Sequence, residues 1–214
     1  MSLPPAGASA IVLASRSPRR IELIERLGLP FTVQPSAFNE RGLSFTDPII
    51  FAREAASGKA SEVARQGAQG LIVGMDTVVH LERQLLGKPS DEADARRMLR
   101  TLSGRWHKVT TGVALIDQGR GASWLGDETS QVEFEALSVE QIDAYVATGE
   151  PLDKAGAYGI QGRAAEFVVQ LQGDYFNVVG FPVSAFLEGL SRFLDVSQLV
   201  IPAPPARFKD AFRP

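Results

Sequence analysis

The chain has 214 residues, 44% hydrophobic and 22% charged, the balance of a soluble globular protein with enough apolar residues for a core. Its net charge of −3 argues against a nucleic-acid binder, so any positive charge used in binding must be local. With no cysteine it has no disulfide, zinc–thiolate centre or thiol nucleophile, and with no signal peptide or long apolar run it is expected in the cytoplasm without a membrane partner.

An apolar run over residues 10–14 predicts a buried strand, and Ser15-Arg16-Ser17-Pro18-Arg19-Arg20 follows it. Ser17 suits an N-cap and Pro18 the first helical position of a helix over 18–27, closed by Gly28. A second strand is expected at 31–33, then a polar stretch over 34–46 that holds Glu40. Asp47-Pro48 starts a helix running to about residue 65, with Gly58 as its weak point. A short apolar strand over 71–73 should end at Gly74-Met75-Asp76-Thr77, with hairpin arms at 78–81 and 84–86 leading into Gly87-Lys88-Pro89.

Ser90 is expected to cap a helix through Leu102, which Gly104 ends. Two longer strands, 107–116 and 123–135, flank a glycine-containing turn, and Ser138 with Gln141 forms a capping box for a helix ending near Gly149. A glycine-rich loop over 150–163 precedes strands at 166–171 and 177–179, and Pro182 starts a last helix ending near Leu194. No repeat or linker divides the chain, so one domain over 1–214 is expected, with a core over about 10–194 and a loosely ordered proline-rich tail over 195–214. Alternating strands and helices followed by hairpins predict an α/β fold with a long twisted mixed sheet flanked by helices.

The first helix start carries the sharpest chemical signal. Arg19 and Arg20 fall in its first turn, where the helix dipole repels cations. The conflict resolves if an anion binds there, on free N–H groups, the hydroxyls of Ser15 and Ser17, and the two guanidinium forks. Solvated arginines at a strand–helix corner are the plainer alternative; a polyanion site is the favoured one.

Asp76 ends an apolar strand behind a flexible Gly74, so its carboxylate should point into a cleft. Glu40 alone reads as a surface carboxylate, and Lys59, on an alanine-rich helix face, as a lysine reaching solvent. Lys88, between a glycine and a proline, suits a ligand contact as well as an ordinary loop. Gln161, between Ile160 and Gly162, projects from a segment whose three glycines bring the backbone close to something. Its amide offers a donor and an acceptor, the complement of a pyrimidine edge with N3–H beside a carbonyl. His80 and His107 lack metal-ligand spacing, and no Walker A, Gly-x-Gly-x-x-Gly or Gly-x-Ser-x-Gly pattern occurs.

Six blocks, "LASRSPRR", "GMDTVV", "LGKP", "LSGRWHKVTTGVAL", "PLDKAGAYGIQG" and "NVVGFP", together resemble the Maf family of nucleoside triphosphate pyrophosphatases over about residues 10–194. The resemblance implies hydrolysis of a nucleoside triphosphate to the monophosphate and pyrophosphate with a divalent cation, Mg²⁺ or Mn²⁺. It implies a fold similar to inosine triphosphate pyrophosphatases, with two lobes around a central cleft, and it admits a homodimer. By motif position it implies a catalytic Asp76, a substrate set of Ser15, Arg19, Arg20, Lys59, Thr77, Lys88 and Gln161, and metal contacts from Glu40 and Asp76. Arg19, Thr77 and Gln161 are similar to the branch acting on dTTP and UTP; the 7-methyl-GTP branch typically has Trp, Gln and Glu there. Met75 stands where alanine or serine is commoner. The alternatives are a pyrophosphatase for other modified or purine nucleotides, and a non-catalytic nucleotide sensor regulating cell division.

Overall fold

Seven strands pair into one mixed sheet in a computed structural model that describes residues 11–43, 47–199 and 201–211. Ala10, residues 44–46 of the polar stretch, residue 200 and the remaining terminal residues lie outside the described residues. Strands β1 (Ile11–Leu13) and β2 (Phe31–Val33) run parallel, joined by helix α1 (Pro18–Arg26). On its other side β1 pairs in parallel with the start of β3 (Leu71–Leu81). The remaining strands, β4 (Gln84–Leu86), β5 (Trp106–Asp117), β6 (Ala122–Phe134) and β7 (Val168–Gln172), all pair antiparallel. The order across the sheet is β2-β1-β3-β5-β6-β7, with β4 also beside β3. The expected α/β architecture with a long mixed sheet is the one observed.

Side chains alternate across a strand, and here the alternation divides the core. Leu71, Val73, Met75 and Val79 join a large cluster with Leu23 and Ile24 of α1. Helices α3 (Glu92–Leu102), α4 (Val139–Val146) and α6 (Val183–Leu190) add Leu99, Val146 and Phe186 to it. Ile72 points the other way, into a smaller cluster with Val12, Ala14 and the alanines Ala56, Ala60 and Ala64 of α2 (Pro48–Arg65).

That alanine face rests on two glycines. Gly74 of β3 and Gly112 of β5 lie so close beneath α2 that a Cβ at Gly74 would overlap the Ala56 carbonyl, and one at Gly112 the Ala52 carbonyl. Gly74 is therefore a contact point, not a hinge. It stays in the ladder opposite Ala114, and β3 is one strand of 11 residues where the sequence suggested a short strand and a separate hairpin arm. Asp76, read as a strand-end residue, sits in mid-strand opposite Gly112. α2 runs through Gly58 without a break, and the Phe38 ring occupies the space a side chain there would need.

Local capping explains other differences. Ser17 holds the N-cap position of α1 with Pro18 behind it, but its side chain makes no capping hydrogen bond. Asp91, not Ser90, caps α3, accepting from the Asp94 N–H at 2.8 Å. Residues 177–179, apolar enough to suggest a strand, belong to a short helix α5 (Tyr175–Val179). Asp174 caps its start, accepting from the Phe176 N–H at 2.7 Å, and Gly180 ends it with a left-handed φ of 104°. The capping box of Ser138 and Gln141 on α4 is present as expected. The proline-rich end, read as loose, carries an anchored segment: Phe208 is buried and stacks on Tyr175, with ring centroids 5.1 Å apart.

Gly112→Ala should lower stability by roughly 1–3 kcal/mol, the usual cost of overpacking, because α2 must lift to admit a methyl group. Urea denaturation of variant and wild type measures it; an unchanged midpoint would show that α2 has slack above the sheet.

Candidate active site

One edge of β3 is covered by two different strands. β1 pairs with residues 71–73 and β4 with residues 79–81, while β5 follows the opposite edge without interruption from Leu71 to His80. Among the described residues, no strand covers 74–78 on the first edge. A buried carbonyl left unanswered there would cost about 1–3 kcal/mol. Arg20, 9% exposed, answers it. Its Nη1 donates to the Met75 carbonyl at 2.9 Å and to Ser15 Oγ at 3.4 Å. Nη2 donates to Thr77 Oγ1 at 3.0 Å, and Nε to the Gly180 carbonyl at 2.8 Å. Burial pulls the guanidinium below its ordinary pKa, opposed by the nearby Asp76 carboxylate. Arg20, expected from sequence as a phosphate ligand, lines the cleft and makes these four hydrogen bonds to protein oxygens.

The gap exposes both faces of β3 to one cleft. Thr77 turns toward Arg20 and shares a hydrogen bond with Thr111 Oγ1 at 2.9 Å. Asp76, on the other face, turns toward α2 and is 7% exposed. Lys59 of α2 meets it there: Nζ lies 2.5 Å from Asp76 Oδ1 and 2.6 Å from Glu40 Oε1. Burial pushes the Asp76 carboxyl above the ordinary aspartate range; the Lys59 ammonium pulls it back, the Glu40 charge raises it and Arg20 lowers it. A buried carboxylate of raised proton affinity is a competent proton acceptor.

Helix α2 also delivers Glu40. Glu62, one turn beyond Lys59, accepts from Ser36 Oγ at 2.8 Å and from the Ala37 N–H at 3.0 Å. With Phe38 packed on Gly58, the loop is held along the helix, and Glu40 opens a short 3-10 turn (Glu40–Gly42) beside Lys59.

The cleft has a volume of about 930 Å³. Every residue that the family resemblance placed at the site lines it: Ser15, Arg19, Arg20, Glu40, Lys59, Asp76, Thr77, Lys88 and Gln161. Lys88 and Gln161 are exposed at it, while Ser15 is buried. Glu150, Asp153 and Lys154 line it too. Sequence reasoning assigned Glu150 no role, since a glutamate before a proline carries no signal of its own.

Among the described residues, no group of three or more His, Asp or Glu side chains is gathered to hold a metal. Two carboxylates, Glu40 and Asp76, do converge on one cationic point, the Lys59 ammonium. Mg²⁺ is commonly held by one or two carboxylates with substrate phosphates completing its shell, so this donor pair fits such an ion once phosphates are present.

A mixed-sheet α/β protein with an acid–lysine–acid cluster in a cleft is the class the geometry defines. The chain belongs to the Maf family, described as "Maf-like protein", whose profile matches residues 10–193. It is 51% identical over 185 residues to the dTTP/UTP pyrophosphatase of Moorella thermoacetica, covering 86% of this chain and 95% of that protein. It is 46% identical over 188 residues to the dTTP/UTP pyrophosphatase of Bacillus cereus strain AH820, covering 87% and 97%. Among solved structures, the Staphylococcus aureus Ham1 protein aligns with 86% of this chain and 97% of its own, at a TM-score of 0.43 and 11% identity.

Arg20→Lys keeps the charge but cannot reproduce the guanidinium fork. We expect it to destabilise the protein by roughly 2–4 kcal/mol in chemical denaturation, through unanswered buried carbonyls. Native stability combined with weakened triphosphate binding would instead make Arg20 a phosphate ligand.

Proposed function

We propose that this cleft hydrolyses nucleoside triphosphates, dTTP and UTP in preference, to the monophosphate and pyrophosphate, clearing unwanted or modified nucleotides. The observation that carries the reading is the Asp76–Lys59–Glu40 cluster at the uncovered edge of β3, in a cleft that Arg19 and Lys88 also line. The names of the relatives in Moorella thermoacetica and Bacillus cereus support it.

The chemistry is attack of water on the α-phosphorus. The new bond forms between water oxygen and phosphorus, the α–β bridging bond breaks, and its electron pair leaves with pyrophosphate. Little covalent work falls to the protein; positioning and charge neutralisation dominate. Asp76 takes the proton that the water gives up. Lys59 pulls the buried Asp76 carboxyl back toward its ionised form and, with Arg19, Lys88 and the Ser15 hydroxyl, offsets the phosphate charge. Arg20 acts on the same chain of groups by fixing Met75, Thr77 and Ser15. A Mg²⁺ or Mn²⁺ ion held by Glu40, Asp76 and phosphate oxygens would supply further positive charge beside the phosphates.

Gln161 reads the base. Its amide can accept from N3–H of uracil or thymine while donating to a neighbouring carbonyl. Cytosine presents an acceptor at N3 and a donor at N4, so the pairing is reversed. With Arg19 and Thr77, this residue set favours dTTP and UTP over 7-methyl-GTP. No helix among the described residues is long and apolar enough to cross a membrane. A single-domain cytoplasmic enzyme needing neither nucleic acid nor membrane, and able to act as a homodimer, fits this reading.

Asp76→Asn should lower turnover by about 10²–10⁴-fold while triphosphate binding survives. Pyrophosphate release gives the rate and calorimetry with a non-hydrolysable analogue gives the affinity; undiminished turnover removes Asp76 from the mechanism. Across a nucleotide panel with and without Mg²⁺, UTP and dTTP should exceed CTP in kcat/KM by about tenfold or more. Preferential release from purine triphosphates would favour the modified-purine alternative, and binding without release would favour a sensor.

A further inference from the structure

The turn that carries Gln161 is held by a carboxylate with no part in the chemistry above. Glu150 opens the 3-10 turn Glu150–Asp153, directly after Gly149 with its left-handed φ of 74°. Its Oε1 accepts from the Tyr145 hydroxyl at 3.0 Å, and its Oε2 from the Arg163 N–H at 3.2 Å. The same Tyr145 oxygen accepts from the Gly159 N–H at 3.2 Å, and Gly162 N–H donates to the Gly159 carbonyl at 3.0 Å. Burial and the facing Glu150 charge raise the Tyr145 phenol above its ordinary pKa, so it stays a donor to that carboxylate.

Gly162 shows how closely the carboxylate is seated. Its φ of −101° is open to any residue, so conformational freedom does not explain a glycine here. Space does: a Cβ on Gly162 would overlap the Glu150 carboxylate. The turn is thus tied to Glu150 and Tyr145 at Gly159 and Arg163, on either side of Gln161. Tyr158 and Ile160 are buried, leaving Gln161 as the exposed side chain between them and the Arg163 tether. Lys154 closes the arrangement by donating to the Glu150 carbonyl at 2.9 Å.

We propose that Glu150 is a positioning residue for base selection: with Tyr145 it fixes the 159–163 turn so that the Gln161 amide meets the pyrimidine edge in one orientation. This rests on reading the cleft as a triphosphate site with Gln161 at the base. An amide that must pair a donor and an acceptor at once tolerates little displacement, so a loosened turn costs discrimination before it costs chemistry. Asp76 and Lys59 lie on other elements and keep their geometry when the turn relaxes.

The test is steady-state pyrophosphate release by the full chain with UTP and CTP, in wild type, Glu150→Ala, Glu150→Gln and Tyr145→Phe. For Glu150→Ala we expect the UTP KM to rise about tenfold with kcat falling about threefold or less, and the UTP-over-CTP ratio to drop about fivefold or more. Tyr145→Phe should move the ratio the same way by a smaller factor, and it carries the test alone if Glu150→Ala does not fold. Glu150→Gln should recover most of the discrimination, since its carbonyl can accept from Arg163 while its NH₂ donates to the Tyr145 oxygen. A merely structural role would lower kcat for both nucleotides together and leave their ratio unchanged; that result overturns the proposal and spares the proposed function. A wild type that releases no pyrophosphate, or treats UTP and CTP alike, defeats the reading of Gln161 and this inference with it.

Discussion

A sheet interior normally leaves no backbone group unanswered, yet the cleft exists because, among the described residues, one stretch of β3 has a strand on only one of its two edges. β1 stops short and β4 begins late, so the carbonyl of Met75 faces a space no strand fills. A guanidinium is suited to that position, since it presents several N–H donors in a plane and keeps its charge when buried. Arg20 uses them on Met75, Thr77, Ser15 and Gly180, joining α1, β3 and the end of α5 around one point. The edge can therefore stay uncovered without collapsing, and Asp76 and Thr77, on opposite faces of the strand, reach the same volume.

The second constraint is the depth at which α2 lies. With glycine at 74 and 112 beneath it, the helix sits at backbone contact with the sheet. Only from there does Lys59 span the short distance to Asp76 while Glu62 and Gly58 hold the loop that brings Glu40. An ammonium set between two carboxylates counters the burial that raises the proton affinity of Asp76, and with it the added effect of the Glu40 charge. The site is thus assembled by one helix, and the small residues facing it are part of the catalytic architecture proposed here.

Much of this was legible in the chain. The residues flagged by odd placement, two arginines in a first helical turn, an acid read as ending an apolar strand and a glutamine among glycines, all line the cleft. What the sequence hid were relations between distant segments. Gly74 reads as looseness because nothing in a linear pattern says that Ala56 will lie upon it. Residues 177–179 read as strand because three apolar or amide residues fit either state, and the deciding cap, Asp174, lies three positions upstream. The protein acceptors of Arg20 are hidden as well, because apart from Ser15 they are 55 to 160 positions away. Glu150 gave no signal, since its work is done on a turn nine or more residues further on.

The sheet has another margin, at β7, whose outer side would offer Val169 and free peptide groups to any passing chain. Arg207 closes part of it by donating to the Val168 carbonyl at 2.6 Å, while Phe208 plugs in beside Tyr175. Exposed margins of this kind recruit strands from neighbouring molecules and seed aggregates. Through these two contacts the carboxy-terminal segment covers part of that margin instead of leaving it to a neighbour.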